Sequence, residues 1–138
     1  MSDKKTVIVS GATYGIGRGI VIDLARRGYA VVGFGLDGRQ PGSAAANGIQ
    51  GTKDALEAEG LSADILEADV SKADAVAGVV AHALGKGGVI HGAVNNAAIR
   101  PSGSVLDTDE ALFDRVVAVN LKGPFLVCRA VIPHMINA

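Results

Sequence analysis

Apolar and polar positions along this chain alternate between two rhythms. Val7-Ile8-Val9 is an unbroken apolar run of the kind found in a strand covered on both faces, and it leads into Ser10-Gly11-Ala12-Thr13-Tyr14-Gly15-Ile16-Gly17. From near Tyr14 the rhythm becomes helical, through Ile20, Val21, Leu24 and Ala25, until Gly28 breaks it. Ala30-Val31-Val32-Gly33-Phe34 reads as a second buried strand. The next stretch, 38–51, is rich in Gly, Ala and polar residues and contains Pro41, which predicts a loop and then a helix from about Gly51 to Glu59. A third strand is predicted over 63–68. Ser71-Lys72-Ala73-Asp74 reads as the capped start of a helix carrying Val76, Val79, Val80 and Leu84, closed by Gly85-Lys86-Gly87-Gly88. The fourth strand, over 89–94, runs into Asn95-Asn96-Ala97-Ala98 and a loop over 99–106. Asp107 or Thr108 then caps a last long helix with Leu112, Phe113, Val116, Val117 and Val119, kinked near Gly123-Pro124 and ending around Ile136.

Strand and helix alternating four times predict an α/β fold: an open parallel sheet with right-handed crossovers and helices on both faces. In such sheets ligands bind beyond the carboxyl ends of the strands. The unusual segments all fall there: the glycine turn, residues 35–39, Asp69-Val70 and Asn95-Asn96.

Composition narrows the classes of function. With 138 residues, 49% apolar and 20% charged, the chain fits one globular domain, and nothing in it reads as a repeat or linker. A net charge of −1 supplies no basic field, so neither nucleic acid nor an anionic membrane is an expected partner. No uninterrupted apolar run approaches the roughly 20 residues of a membrane span. Met1-Ser2-Asp3-Lys4-Lys5 runs into the first strand without a signal-peptide core, and the expectation is a cytoplasmic protein. Cys128 is the only cysteine and sits in an apolar helical pattern, which reads as core packing. His82, His91 and His134 stand singly on separate elements, with no metal-ligand spacing.

The glycine turn carries the chemistry. Gly11, Gly15 and Gly17 let the backbone turn tightly and approach a ligand, while the N-terminus of the following helix favours a phosphate or pyrophosphate. A strand-to-helix turn with no ligand is the plainer reading of such a segment taken alone. The spacing Gly-x-x-x-Gly-x-Gly differs from the common Gly-x-Gly-x-x-Gly, and no Gly-Lys-Ser/Thr follows to suggest a nucleoside-triphosphate loop. With Ser10 ahead of it, the segment resembles the Thr-Gly-x-x-x-Gly-x-Gly signature of the short-chain dehydrogenase/reductase family, serine keeping the hydroxyl of the usual threonine. Asn95-Asn96-Ala97-Ala98 is similar to the family's Asn-Asn-Ala-Gly, and Asn120 within Val119-Asn120-Leu121-Lys122-Gly123 is similar to its helix asparagine.

The resemblance covers essentially the whole chain and implies a Rossmann-type sheet with its four strands in the order 3-2-1-4. It implies that Ser10, Gly11, Thr13, Tyr14, Gly15, Ile16 and Gly17 cradle a dinucleotide, and that Asp69 and Val70 contact its adenine. It implies further that Asn95 ties adjacent strands through its amide, and that Asn96 and Ala97 line the floor under the nicotinamide ribose. The backbone carbonyl of Asn120 would hold a water of the proton relay, making Asn120 the one catalytic residue present. The position that selects the cofactor falls on Gly35, which has no carboxylate, pointing to NADP over NAD with Arg39 and Arg18 as partners of the 2′-phosphate. A two-residue shift of the loop would instead give Asp37 the NAD-selecting role.

Members of this family pass hydride between nicotinamide and a carbonyl or alcohol, with a Tyr-x-x-x-Lys pair and a serine handling the proton and the substrate oxygen. Tyr14 and Tyr29 are the only tyrosines here, and neither has a lysine four residues later. Ser102 and Ser104 lie too early to be the missing serine, and Arg100-Pro101-Ser102 reads as surface loop. The expectation is therefore a single dinucleotide-binding domain over 1–138, truncated before the catalytic serine and tyrosine. It would be the amino-terminal portion of an oxidoreductase, inactive alone, whose parent takes a small carbonyl or alcohol substrate of the 3-oxoacyl or sugar/polyol kind and forms a homo-oligomer. The alternative is a non-catalytic nucleotide-binding or interaction module.

Overall fold

A computed structural model describes residues 3–38 and 47–138 of the chain. Its elements run β1 (Thr6–Ser10), α1 (Gly15–Arg26), β2 (Ala30–Gly35), α2 (Gly48–Ala58), β3 (Asp64–Glu67), α3 (Ala73–Leu84) and β4 (Gly92–Val94). They end with α4 (Glu110–Val117), a π-turn (Ala118–Lys122) and α5 (Gly123–Ile136). All strand pairs are parallel and the sheet order is β3-β2-β1-β4, the open α/β arrangement expected.

The two-residue period of the strands sorts their side chains into two cores. Val7, Val9 and Val31 meet Val21 of α1 and Leu56 of α2 on one face. Ile8, Val32 and Phe34 meet Val76, Val79 and Val80 of α3 and Val127 and Val131 of α5 on the other. Each such side chain, fully removed from water, contributes about 1.5–3 kcal/mol, and β1 is buried at every position. The sheet is thus covered on both sides, which is why its strands read as continuous apolar runs.

Several boundaries differ from expectation, each for a local reason. Helix α2 starts at Gly48 rather than Gly51, because the Asp37 carboxylate accepts from Ile49 N–H (3.0 Å) and Asn47 takes a left-handed φ of 76° ahead of it. Pro41, expected in the preceding loop, lies outside the described residues. Strand β4 covers only Gly92–Val94 because the ladder changes character at its start: Thr6 N–H donates to His91 Nδ1 (3.0 Å) while His91 N–H donates to Thr6 O (2.8 Å). Ser71 does not cap α3. Lys72 occupies the N-cap position without a side-chain bond, and the Ser71 hydroxyl turns to Asp69. Asp109, not Asp107 or Thr108, caps α4 by accepting from Leu112 N–H (2.7 Å), and the other two are held in a turn with Ser104.

The last helix does not simply kink at Gly123-Pro124 but widens into the π-turn just before it. Pro124 has no N–H to donate to the Asn120 carbonyl four residues back, so regular α-helix cannot continue through this point. Gly123 brings the backbone close to the turn after β3, where an added Cβ would lie 3.1 Å from the Val70 side chain. Taken together, Glu110–Ile136 is helical for 27 residues and apolar enough in length and composition to cross a membrane, although charges interrupt it; its inward residues Val119, Leu126, Val127 and Val131 are buried on the sheet.

Two outcomes follow from this packing. A Cβ on Gly17 would lie 1.7 Å from the Gly11 carbonyl oxygen, so Gly17→Ala should destabilise the chain by about 3 kcal/mol or more, read as a lowered urea midpoint. At the opposite end of the sheet Asp64 accepts from both His82 (2.6 Å) and Lys86. Burial pushes the Asp64 carboxyl up, but hydrogen bonds and charge from Lys86 and His82 outweigh it and hold the group below its usual 3.8. A carboxyl lowered on folding stabilises above its unfolded pKa and loses that contribution as pH falls through the folded value. Asp64→Asn should therefore cost about 1 kcal/mol or less at pH 7, since the group is a third exposed, and the gap to wild type in thermal unfolding should close below pH 3.8.

Candidate functional site

The carboxyl ends of β1, β2, β3 and β4 open onto a cleft of about 470 Å³. Its floor begins where β1 gives way to the glycine turn. Gly11 has φ +68°, and an added Cβ there would lie 2.9 Å from the Ala97 backbone and 2.7 Å from the Asn96 amide, so only glycine fits. The Gly11 carbonyl accepts from Asn96 Nδ2 (3.2 Å) and lies against Gly17, where α1 crosses it. Behind the turn, the buried Ser10 hydroxyl accepts from Asn96 N–H (3.1 Å) and Ala97 N–H (3.0 Å) and reaches Val94 O (3.4 Å). Ala12 N–H donates to Phe34 O and Thr13 Oγ1 to Leu36 O, both at 3.1 Å, which ties the turn to the end of β2.

Helix α1 then starts at the cleft with Tyr14 in extended conformation at its N-cap. Among the described residues no side chain caps it, and no acidic residue lies in its first turn, so its leading N–H groups and positive dipole end are open toward an anion. Ile16, in that first turn, is 78% exposed. The charged side chains lining the described cleft are Asp69 and Arg115, and they pair with each other. Asp69 Oδ1 accepts from the Ser71 N–H (2.9 Å) and hydroxyl (2.7 Å), while Oδ2 accepts from Arg115 Nη1 (3.2 Å). Burial pushes the Asp69 carboxyl up, but the Ser71 donors and the Arg115 guanidinium overcome it and hold it below 3.8.

Of the residues singled out from the sequence, Gly11, Thr13, Tyr14, Gly35, Asp69, Val70, Asn96 and Ala97 line the cleft. Ser10 and Gly17 lie behind it as packing and hydrogen-bonding elements. Asn96, not Asn95, makes the amide tie across to β1; the Asn95 amide turns toward Cys128 Sγ (3.5 Å). Asn120 Oδ1 accepts from Ile99 N–H and its Nδ2 donates to Ile99 O, both at 2.8 Å, so the side chain clasps the loop beside the cleft. Asp37 caps α2 and is not among the lining residues, although its neighbours Leu36 and Gly38 are. Arg18 is half-buried and donates through Nε to Thr52 Oγ1 (3.0 Å) and through Nη2 to Thr13 O (2.8 Å) and Gly48 O (3.1 Å). Arg39 lies outside the described residues. Among the described residues no three of His, Cys, Asp and Glu gather as a metal site.

Sequence reasoning missed Arg115. A signal was present: it sits three residues after Leu112 and four before Val119, on the inward stripe of α4 and the π-turn. A cation on an apolar stripe needs a partner, and Asp69 is that partner.

Known proteins share this arrangement. Residues 5–138 match the short chain dehydrogenase family. The chain is 36% identical to an L-rhamnose 1-dehydrogenase (NAD(P)(+)) of Azotobacter vinelandii, over 95% of its own length and 50% of the relative's. It is 35% identical to dehydrogenase/reductase SDR family member 4 of Oryctolagus cuniculus, over 95% and 48%. Among solved structures it is similar to an actinorhodin polyketide ketoreductase with NADPH, at a TM-score of 0.82 and 29% identity over 94% of this chain and 47% of that one. It is similar also to the ligand-free aldohexose dehydrogenase of Thermoplasma acidophilum, at a TM-score of 0.76 and 30% identity over 98% and 46%. The chain spans about half the length of these relatives. On a match running from residue 5 to residue 138, with the glycine turn, the four-strand sheet and the cleft in place, the chain belongs to the short-chain dehydrogenase family.

Proposed function

We propose that this chain is the dinucleotide-binding portion of an NAD(P)-dependent oxidoreductase that interconverts a carbonyl and an alcohol. The observation that carries the reading is the uncapped N-terminus of α1, opening onto the cleft over the Gly11 and Gly17 crossing. The residues present suit the group: a backbone with no Cβ in the way, N–H donors for a pyrophosphate, and a cleft whose two charged side chains cancel. When bound, the nicotinamide dinucleotide supplies or accepts the hydride. This chain's own contribution is to bind and orient: Thr13, Gly35 and Leu36 frame the adenosine end, Asp69 and Val70 stand beside the adenine, and Asn96 and Ala97 form the floor under the nicotinamide ribose. The Asn120 carbonyl, which has no amide donor four residues on because that position is Pro124, is the acceptor offered to a relay water.

The 138-residue chain by itself binds without turning over, because neither Tyr14 nor Tyr29 precedes a lysine by four residues. The same fact favours the second reading, a nucleotide-binding module without catalysis. Substrates of the 3-oxoacyl or sugar/polyol kind fit the relatives, two of which are named as rhamnose and aldohexose dehydrogenases. For the cofactor we favour NADP over NAD. Gly35 offers no carboxylate, and the next one along the chain, Asp37, is engaged on the N-terminus of α2. An apolar outward stripe, Phe113, Val117, Leu121, Phe125 and Ile132, supports a homo-oligomer in which a second copy covers it.

Thermal unfolding with millimolar NADP or NAD tests the cradle, since a ligand held at a hundred times its Kd stabilises by about 2.7 kcal/mol. NADP should raise the Tm more than NAD. Asp37→Ala should lower the unliganded Tm through loss of a cap worth about 1 kcal/mol and leave that order unchanged. No shift with either dinucleotide would overturn the cradle, and a larger NAD shift abolished in Asp37→Ala would overturn the cofactor preference. Alcohol oxidation or ketone reduction by the purified chain would show that it carries a proton donor of its own. Sedimentation velocity reads the oligomer: a dimer or larger species is expected, dissociated by Phe125→Glu, and a monomer at all concentrations would sink that part.

A further inference from the structure

Helix α4 is held to the molecule by little apolar surface. None of its residues is buried, and its inward stripe consists of the half-buried Leu112, Arg115 and Val116. Arg115 makes a polar reach to the sheet: its Nη1 donates to Ser71 Oγ at 2.9 Å and to Asp69 Oδ2 at 3.2 Å, across 44 and 46 residues of sequence. Both receiving groups are already fixed. Ser71 is 4% exposed, and its N–H and hydroxyl are bound to the other Asp69 oxygen. Asp69 and Arg115 line the cleft together. From Val117 the helix continues without a break into the π-turn that carries Asn120, whose amide clasps Ile99, also a lining residue.

We propose that Arg115 is a positioning residue, a strap that ties α4 to the Asp69 carboxylate at the cleft wall and thereby couples a nucleotide bound in the cleft to the setting of α4 and the Asn120 turn. The strap stands on the geometry of this chain alone; its ligand rests on the dinucleotide reading above. Coupling of this kind is reciprocal: whatever holds Asp69 in place steadies α4, and whatever steadies α4 favours the bound nucleotide. One nitrogen carries both contacts, so a lysine ammonium, with three donors on a single centre, can replace it, whereas methionine, with none, cannot.

Amide hydrogen exchange on the 138-residue chain, with and without saturating NADP, tests this in wild type, Arg115→Met, Arg115→Lys, Asp69→Asn and the Arg115→Met/Asp69→Asn double variant. Without nucleotide, Arg115→Met should exchange about three- to tenfold faster over 110–122 and be unchanged over 15–26. Arg115→Lys should stay close to wild type, and the double variant should exchange no faster than Arg115→Met. NADP should slow exchange over 110–122 in wild type and not in Arg115→Met, while protecting 10–17 in both. Wild-type exchange over 110–122 in Arg115→Met, equal protection of that stretch by NADP in the two proteins, or a lysine variant that behaves like the methionine one would each overturn the strap. Absence of NADP protection at 10–17 in wild type would overturn the dinucleotide reading instead, leaving the unliganded comparison as the test of the strap. Should Arg115→Met lose its far-UV circular dichroism, Ser71→Ala, which removes one of the two acceptors, carries the same comparison.

Discussion

The site depends on a place where the backbone crosses itself. Gly17 of α1 lies over the carbonyl of Gly11, closer than any side chain would permit, and that carbonyl also receives the Asn96 amide from the end of β4. One oxygen thus fixes three things: the end of the central strand, the first turn of the helix and the turn that follows β4. The crossing aims the free N–H groups of α1 over the carboxyl edge of the sheet, and the Ser10 hydroxyl holds the neighbouring strand end from behind. The cleft is a consequence of that convergence.

Charge around the cleft is settled by hydrogen bonds made elsewhere. A carboxylate facing the cleft alone would repel an anionic ligand, and neither Asp37 nor Asp69 is alone. Asp37 is taken by the N-terminus of α2, where a negative group is favourable, and Asp69 is taken by Ser71 and Arg115. What remains open to a phosphate is largely backbone, in a helix terminus already oriented before any ligand arrives.

The two layers of helices serve different ends. On one face α1 and α2 complete a compact core with Val7, Val9 and Val31, further knitted by Arg18 and Thr52. On the other, α5 buries Leu126, Val127 and Val131, while its outer face and that of α4 keep Phe113, Leu121 and Phe125 exposed. Among the described residues strand β4 stands at the edge of the sheet, bonded to β1 alone. An edge strand and an apolar outer stripe are the features that further strands or a second copy would cover.

The fold class and the location of the cleft were legible in the sequence, because they rest on local patterns: apolar runs of strand length, a helical period after the glycine turn, and motifs at strand ends; the strand order came only with the family resemblance that those motifs carry. Gly11, Thr13, Gly35, Asp69 and Asn96 could be named for the same reason, each standing where a strand gives way to a turn. The partners of polar side chains were not legible. The pairing of Asp37 with Ile49, of Arg18 with Thr52, of Asn96 rather than Asn95 with Gly11, and of Arg115 with Asp69 joins residues that lie from 12 to 85 positions apart. A hydrogen bond acts over about 3 Å, whereas sequence reports only order along the chain, so tertiary packing had to decide which of several nearby donors and acceptors met.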